Sequence, residues 1–342
     1  MPASTTQQIT NKIPYGIDEL VEVPDLVREA PRTVRCYVRG CRHELRTPTR
    51  FSPGQVCPDH GIRCHYSRSS STYSYRDVRR NIIASEDLFA TRIVGHPFKY
   101  ESHRLGLEKS EDTLSWNVFR SLQEADCLRQ IAGLITGEEL PYEPDLYLWG
   151  ICTTEDSLRP WDLLIQARDR FESNLPVERP KTEPDIALHL PGKYLILIEA
   201  KFTSPNTFYE RGPRKTPQSL TLNELLEIYC DPRLAILNHS KAVEAPRVAY
   251  QLWRNTIFAE WMAAEDHPHT KAYHVNLVRS GFERDTVAGF LDLLNDNRKD
   301  RFRRLTWEHI YDTTSEEQLP TLRQYMRTKT AGLKPAFRIE AN

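Results

Sequence analysis

Two segments of strand length, PDIALHL (184–190) and YLILIEAKF (194–202), flank Pro191-Gly192-Lys193, and no other feature constrains the fold of this chain as tightly. Their residues alternate as in strands, and a three-residue loop centred on glycine closes a hairpin. Pairing Leu190 with Tyr194 and counting outward sets Asp185 opposite Glu199. Glu199 and Lys201 are two apart and share a face, whereas Ile196, Ile198, Ala200 and Phe202 line the other. One face then carries two carboxylates and an exposed ammonium. Like charges set opposite each other repel. The pattern therefore points to a divalent cation between the acids, and removing either acid is expected to stabilise the metal-free protein.

Pro184-Asp185 followed by Glu199-Ala200-Lys201 resembles the PD-(D/E)XK nuclease superfamily, the fold of many restriction endonucleases. The resemblance implies that Asp185, Glu199 and the Ala200 carbonyl bind one or two Mg²⁺ (or Mn²⁺) ions, while Lys201 orients or activates the attacking water. Phosphodiester hydrolysis suits such groups: a hard cation with oxygen ligands neutralises the phosphate, and a water must become nucleophilic near neutral pH. Glu-Ala-Lys alone is a common helical tripeptide. Here it ends a Tyr-Leu-Ile-Leu-Ile run, and the aspartate stands at hairpin spacing.

Charge is unevenly spread. The 342 residues carry a formal net charge of −1, yet residues 31–80 contain eleven arginines, no lysine and three acids (Glu44, Asp59, Asp77). Guanidinium groups fork onto phosphate oxygens, so this segment reads as a nucleic-acid footprint. Four of the seven cysteines fall within residues 36–64. Without the apolar core of a signal peptide at the N-terminus, such clustering favours a metal site in a reducing cytoplasm over disulfides. Cys36 and Cys41 form one ligand pair, and Cys57 and His60 a second that resembles a zinc knuckle with histidine in place of a cysteine. Together they make a tetrahedral Zn²⁺ site. Cys64 is the first substitute, and His43 and His65 also compete. YSRSSSTYSYRD (66–77) is a loop or an edge hairpin. Tyr73 and Tyr75 in it are packing residues or stacking platforms for bases.

Helical periodicity runs over 108–135, with Ser110 as N-cap. In the PD-(D/E)XK superfamily the helix before the sheet often supplies another acid to the metal, which implies Glu111, with Glu108 and Asp112 as alternatives. DLYLWGI (145–151) reads as a strand, Trp161–Phe171 as an inserted helix and 204–219 as a mobile loop beside the site. Leu220–Cys230 and 247–264 read as helices. Gln251, on the second, is similar to a residue flanking the metals in related nucleases and is expected to hydrogen-bond the water or a phosphate. AYHVNLVR (272–279) is a strand and TVAGFLDLLN (286–295) a helix. The basic run NRKDRFRR (297–304) is a candidate for phosphate contacts, and LTWEHIYDTT resembles a terminal strand–helix element.

The expected architecture is α/β: a restriction-endonuclease-like core of helix, mixed central sheet with catalytic hairpin, and flanking helices, preceded by a small zinc-binding module. The boundaries expected are an extension at 1–30, the arginine-rich zinc module at 31–80, a linker at 81–104, the nuclease domain at 105–320 and a tail at 321–342. The expected function is Mg²⁺-dependent cleavage of double-stranded DNA in prokaryotic restriction or phage defence. A homodimer and defence-system partner subunits go with it by resemblance, and no membrane association is expected because no apolar run approaches transmembrane length. The alternatives are a non-catalytic zinc DNA-binding protein on a nuclease scaffold, and an RNase or structure-specific nuclease.

Overall fold

The computed structural model describes residues 32–49, 52–67, 70–85, 102–153, 160–175, 181–213, 219–234 and 236–330, with short pieces at 14–15, 19–21, 334, 336–337 and 339. They belong to two compact units, Met1–Thr113 with Thr321–Ala336, and Leu114–Pro320 with Phe337–Asn342.

The first unit holds two antiparallel strand pairs, β1 (Thr33–Arg35) with β2 (Glu44–Arg46), and β3 (Ile62–Ser67) with β4 (Ser70–Tyr75). The tyrosine-rich segment is therefore a hairpin. Tyr73 and Tyr75 are buried, with Val34, Tyr37, Leu45 and Ile62, in a small core, and so they pack rather than present a stacking surface. A core of so few apolar side chains is marginal without a cross-link. Residues 320–328, expected as part of a tail, form a helix. Just after it, Lys329 Nζ donates to the Glu108 carbonyl, and Thr330 N–H donates to Glu108 Oε1 at 2.8 Å.

The periodic stretch 108–135, of which residues 114 onward belong to the second unit, divides into α1 (Glu111–Glu124) and α2 (Leu128–Thr136). The break falls at Asp126, whose φ of 53° ends the helical run. Ser110 caps α1 as expected, its Oγ accepting from Thr113 N–H at 3.2 Å. Residues 145–151 are a tight hairpin instead of one strand, with β5 (Asp145–Leu148) pairing β6 (Ile151–Cys152). Trp149 and Gly150, at φ 53° and 78°, make the two-residue turn. A Cβ on Gly150 would lie 2.3 Å from Leu164 Cδ2, so this position needs glycine for space as well as for φ.

After α3 (Asp162–Glu172) come β7 (Ile186–Leu190) and β8 (Tyr194–Ala200), paired in the register the short loop implies, Leu190 opposite Tyr194 and Ile186 opposite Ile198. The next segment contains a strand, β9 (Phe208–Glu210); residues 214–218 of the expected loop lie outside the described residues. Thr221 and Glu224 form a capping box at the start of α4 (Leu222–Ile228). The reading of 247–264 as helix is corrected at its start. Arg247–Ala249 is β10, which pairs with β9 before α5 (Tyr250–Asp266) begins. Then follow β11 (Lys271–Val278), α6 (Arg284–Leu291), β12 (Phe302–Thr306) and α7 (Trp307–Thr313).

The six-stranded mixed sheet has the order β12-β11-β8-β7-β5-β6, with β8, β11 and β12 parallel and the rest antiparallel. β7 and β8 are buried along their whole length. On one face Ala187, Leu195, Leu197 and Ala272 pack in a core with Leu252 and Phe258 of α5, each large side chain contributing ~2 kcal/mol. Beyond Leu197 on that face comes Glu199. A charged residue on a fully buried central strand is what this sheet has to accommodate.

Candidate metal centres

The hairpin register places Asp185 one residue before β7, level with Glu199. Asp185 is half-buried and its Oδ2 accepts from Ala200 N–H at 2.8 Å, so its carboxylate lies against the Glu199–Lys201 backbone. Glu199 is 2% exposed. Its Oε1 accepts from Lys201 Nζ at 2.6 Å and from Gln251 Nε2 at 2.7 Å, and its Oε2 from Asn255 Nδ2 at 2.6 Å. Burial pushes this carboxyl up, but the Lys201 ammonium, through charge and hydrogen bond, together with the charge interactions of Arg254 and His274, holds the group below its ordinary value. Glu199 is thus an anion at neutral pH. A carboxylate offers about four lone-pair sites, and the three hydrogen bonds leave one on Oε2 for a cation.

Two expectations change here. Lys201 is 7% exposed, a buried ammonium rather than an exposed one. Repulsion between the acids is not the governing term either, because Glu199 is neutralised at contact distance by Lys201 and receives two amide donors. Gln251 is already bound to Glu199, and its Oε1 accepts from Thr207 N–H at 3.3 Å, tying the segment after the strand to the same carboxylate.

Asn255 was not singled out from the sequence. Its signal was available, since it stands four residues after Gln251 and shares that face of a helix. Trp307 Nε1, which donates to the Lys201 carbonyl at 3.1 Å, and Arg279 Nε, which donates to the Phe202 carbonyl at 2.6 Å, left no local signal. Both reach the strand end from elements 75 or more residues away.

Of the acids before the sheet, Glu111 and Asp112 occupy the first turn of α1. Glu111 belongs to the first unit and Asp185 and Glu199 to the second. Glu108 is 3% exposed and engaged with Thr330 and Thr72, and burial pushes its carboxyl up, so it is structural. The basic run is engaged as well. Arg301, Arg303 and Arg304 donate to the carbonyls of Ala272, Ile135, Arg279 and Phe282. These backbone acceptors are distant in sequence, so the run itself does not reveal them.

In the first unit the ligand atoms of Cys36, Cys41, Cys57 and His60 all lie within 4.8 Å of one another. Cys41 Sγ to Cys57 Sγ is 3.8 Å, and His60 Nδ1 is 3.7 Å from Cys36 Sγ and 3.4 Å from Cys57 Sγ. A zinc tetrahedron has S···S edges of about 3.8 Å and S···N edges of about 3.6 Å. The cluster fits that ion. Burial pushes the Cys36 thiol up to about 12, so the thiolate form needs a cation. The competing ligands are placed elsewhere: Cys64 Sγ is 3.9 Å from the Arg46 carbonyl, His43 pairs with Asp59 at 2.9 Å, and His65 stands in β3 outside the four.

A mixed sheet with flanking helices, bearing an acid–acid–ammonium group at the end of its central hairpin, is consistent with a restriction-endonuclease-like fold. Residues 156–329, just over half of the chain, match the family described as Restriction Endonuclease associating with ARP, and the chain belongs to that family. No curated protein and no solved structure matches it. Among the described residues no helix is long and apolar enough to cross a membrane.

Proposed function

We propose that the protein is a metal-dependent endonuclease of PD-(D/E)XK type that hydrolyses phosphodiester bonds of double-stranded DNA in restriction or phage defence. The observation that carries this reading is the hairpin end, where Asp185 and an ionised Glu199 stand level and Lys201 touches Glu199 at 2.6 Å, in a chain of a restriction-endonuclease family. Asp185, Glu199 and the Ala200 carbonyl are the hard oxygen donors that suit Mg²⁺ or Mn²⁺. A cation so held supplies charge neutralisation at the phosphate and acidifies a water. Gln251 and Asn255 fix the Glu199 carboxylate, so its remaining lone pair is preorganised. Lys201 keeps Glu199 ionised and is the group that orients the attacking water.

The Cys36, Cys41, Cys57 and His60 cluster holds a structural Zn²⁺. It organises a surface on which Arg32, Arg35, Arg39, Arg42 and Arg46 are exposed, a pattern suited to the phosphate backbone. The family description also supports a protein partner, ARP, for this chain.

Purified protein incubated with plasmid, linear duplex and RNA under Mg²⁺ tests the reading. Wild type should cleave duplex DNA, with Ca²⁺ supporting binding but not turnover and EDTA abolishing cleavage. Lys201→Ala should cut at least a hundredfold more slowly, by the ordinary contribution of a positioned acid–base group. Unchanged turnover in Lys201→Ala, or full cleavage in EDTA, would overturn the assignment.

A further inference from the structure

Three polar side chains of helix α5 act on Glu199: Gln251 and Asn255 by hydrogen bond, and Arg254 by charge. Gln251 and Asn255 grip Glu199, and Arg254 lies one helical step to one side of them. The helix cross-section puts Arg254 on the flank shared by Tyr250 and Phe258, which pack against Tyr229. Its guanidinium carbon is 5.3 Å from the centre of the Tyr250 ring, which pins the side chain. The Nε is buried and has no hydrogen-bond partner among the described residues. Glu199 does not supply one: its oxygens accept from Lys201, Gln251 and Asn255, and the lone pair left on Oε2 receives no hydrogen bond from Arg254. Nor does Glu172, whose carboxylate is taken by Thr182 and Tyr229 Oη.

A shielded guanidinium donor left unmatched costs stability that a structural counter-ion would have recovered by touching its partner. An arginine fork near a carboxylate that is already engaged suits an anion of tetrahedral, multi-oxygen form. From this geometry we infer that Arg254 is a substrate-binding residue that takes a phosphate of the nucleic-acid backbone at the hairpin end. The inference rests on the nuclease reading and adds to it the residue that receives the anion. Burial works against the charged guanidinium, but its charge interactions with Tyr250 and then Glu199 outweigh that cost and hold Arg254 above its ordinary value. It is therefore cationic at every working pH.

The test compares full-length wild type, Arg254→Met, Arg254→Lys and Asp185→Asn. Duplex affinity is measured by fluorescence anisotropy over a salt series, in EDTA and again in Ca²⁺, and cleavage is measured in Mg²⁺. Arg254→Met should bind about tenfold more weakly, with a salt slope shallower by about one, the signature of one lost phosphate contact. Its melting temperature should be unchanged or higher. Arg254→Lys keeps the charge but not the fork, so it should retain the salt slope and lose affinity severalfold. Wild-type affinity and slope in folded Arg254→Met would overturn the inference, as would a lower melting temperature with normal binding, which marks a structural counter-ion. Should Arg254→Met not fold, wild-type affinity in Arg254→Lys overturns it. Asp185→Asn separates the two claims. If it is inactive while the Arg254 variants behave as wild type, only the arginine assignment falls; if it cleaves normally, the nuclease reading falls too.

Discussion

Replacing Glu199 by alanine tests whether the hairpin end is held together by its charges or strained by them. The substitution takes from Lys201 Nζ its 2.6 Å partner and from Gln251 and Asn255 their acceptor at 2.7 and 2.6 Å. Lys201 is 7% exposed, so its ammonium cannot simply turn into bulk water. Breaking a buried pair by removing one partner costs about 3–5 kcal/mol, and an orphaned amide donor about 1 kcal/mol or more. Water entering the space left by the side chain offsets part of this, which leaves a net loss of about 4 kcal/mol. For a unit of this size each kcal/mol moves the melting temperature by about 2–4 °C, so Glu199→Ala should melt ~8–16 °C below wild type in EDTA. Circular dichroism during heating reads the difference. The double variant Glu199→Ala/Lys201→Met should recover at least ~1 kcal/mol of the loss, because no buried charge is then left unpaired. A melting temperature that rises, or that shifts by less than about 2 °C, would refute the argument. It would mean that repulsion from Asp185 outweighs the contact with Lys201.

Elemental analysis should find about one Zn²⁺ per chain. Cys57→Ser should lose it and unfold the first unit, whereas Cys64→Ser should retain it, because Cys64 is turned to the Arg46 carbonyl; zinc loss in both would move the fourth ligand. His274 is fully buried, and burial pulls its imidazole from 6.5 down to about 3. The unfolded chain therefore takes up a proton that the folded one refuses. This contribution is complete above about pH 6.5 and is lost as pH falls toward 3, amounting to ~2 kcal/mol by pH 5. Denaturant melts at pH 7 and pH 5 should show that part of the slope missing in His274→Asn, and identical slopes would contradict it. Gly150→Ala should cost about 2–4 kcal/mol, since φ is 78° and the new Cβ meets Leu164 at 2.3 Å. Gly212→Ala, whose new Cβ meets nothing within 4 Å among the described residues, should be near neutral in the same melts.

The hairpin was legible from sequence because its information is local. A three-residue loop and two apolar runs admit one register that keeps Asp185 level with Glu199, and the structure has that register. The candidate metal cluster was legible for the same reason, as two close pairs of the right residue types, and Cys36, Cys41, Cys57 and His60 do converge. Periodicity also located most helices. Its errors fell where backbone conformation overrides pattern: the left-handed residues Asp126 and Trp149 break a helix and fold back a strand, and Arg247–Ala249 pairs with β9 before the helix begins.

Only the tertiary structure decided the electrostatics of the site. Lys201 reads as exposed from its place at a strand end, yet neighbouring elements cover it, and Trp307 holds its carbonyl from 106 residues away. The same holds for the arginines. Sequence spacing cannot tell Arg303, which is tied to the Ile135 carbonyl, from Arg254, whose shielded Nε has no hydrogen-bond partner among the described residues. Charge, type and register are properties of a segment. Burial, and with it the strength of every charge interaction at the hairpin end, comes from what the rest of the chain packs against it.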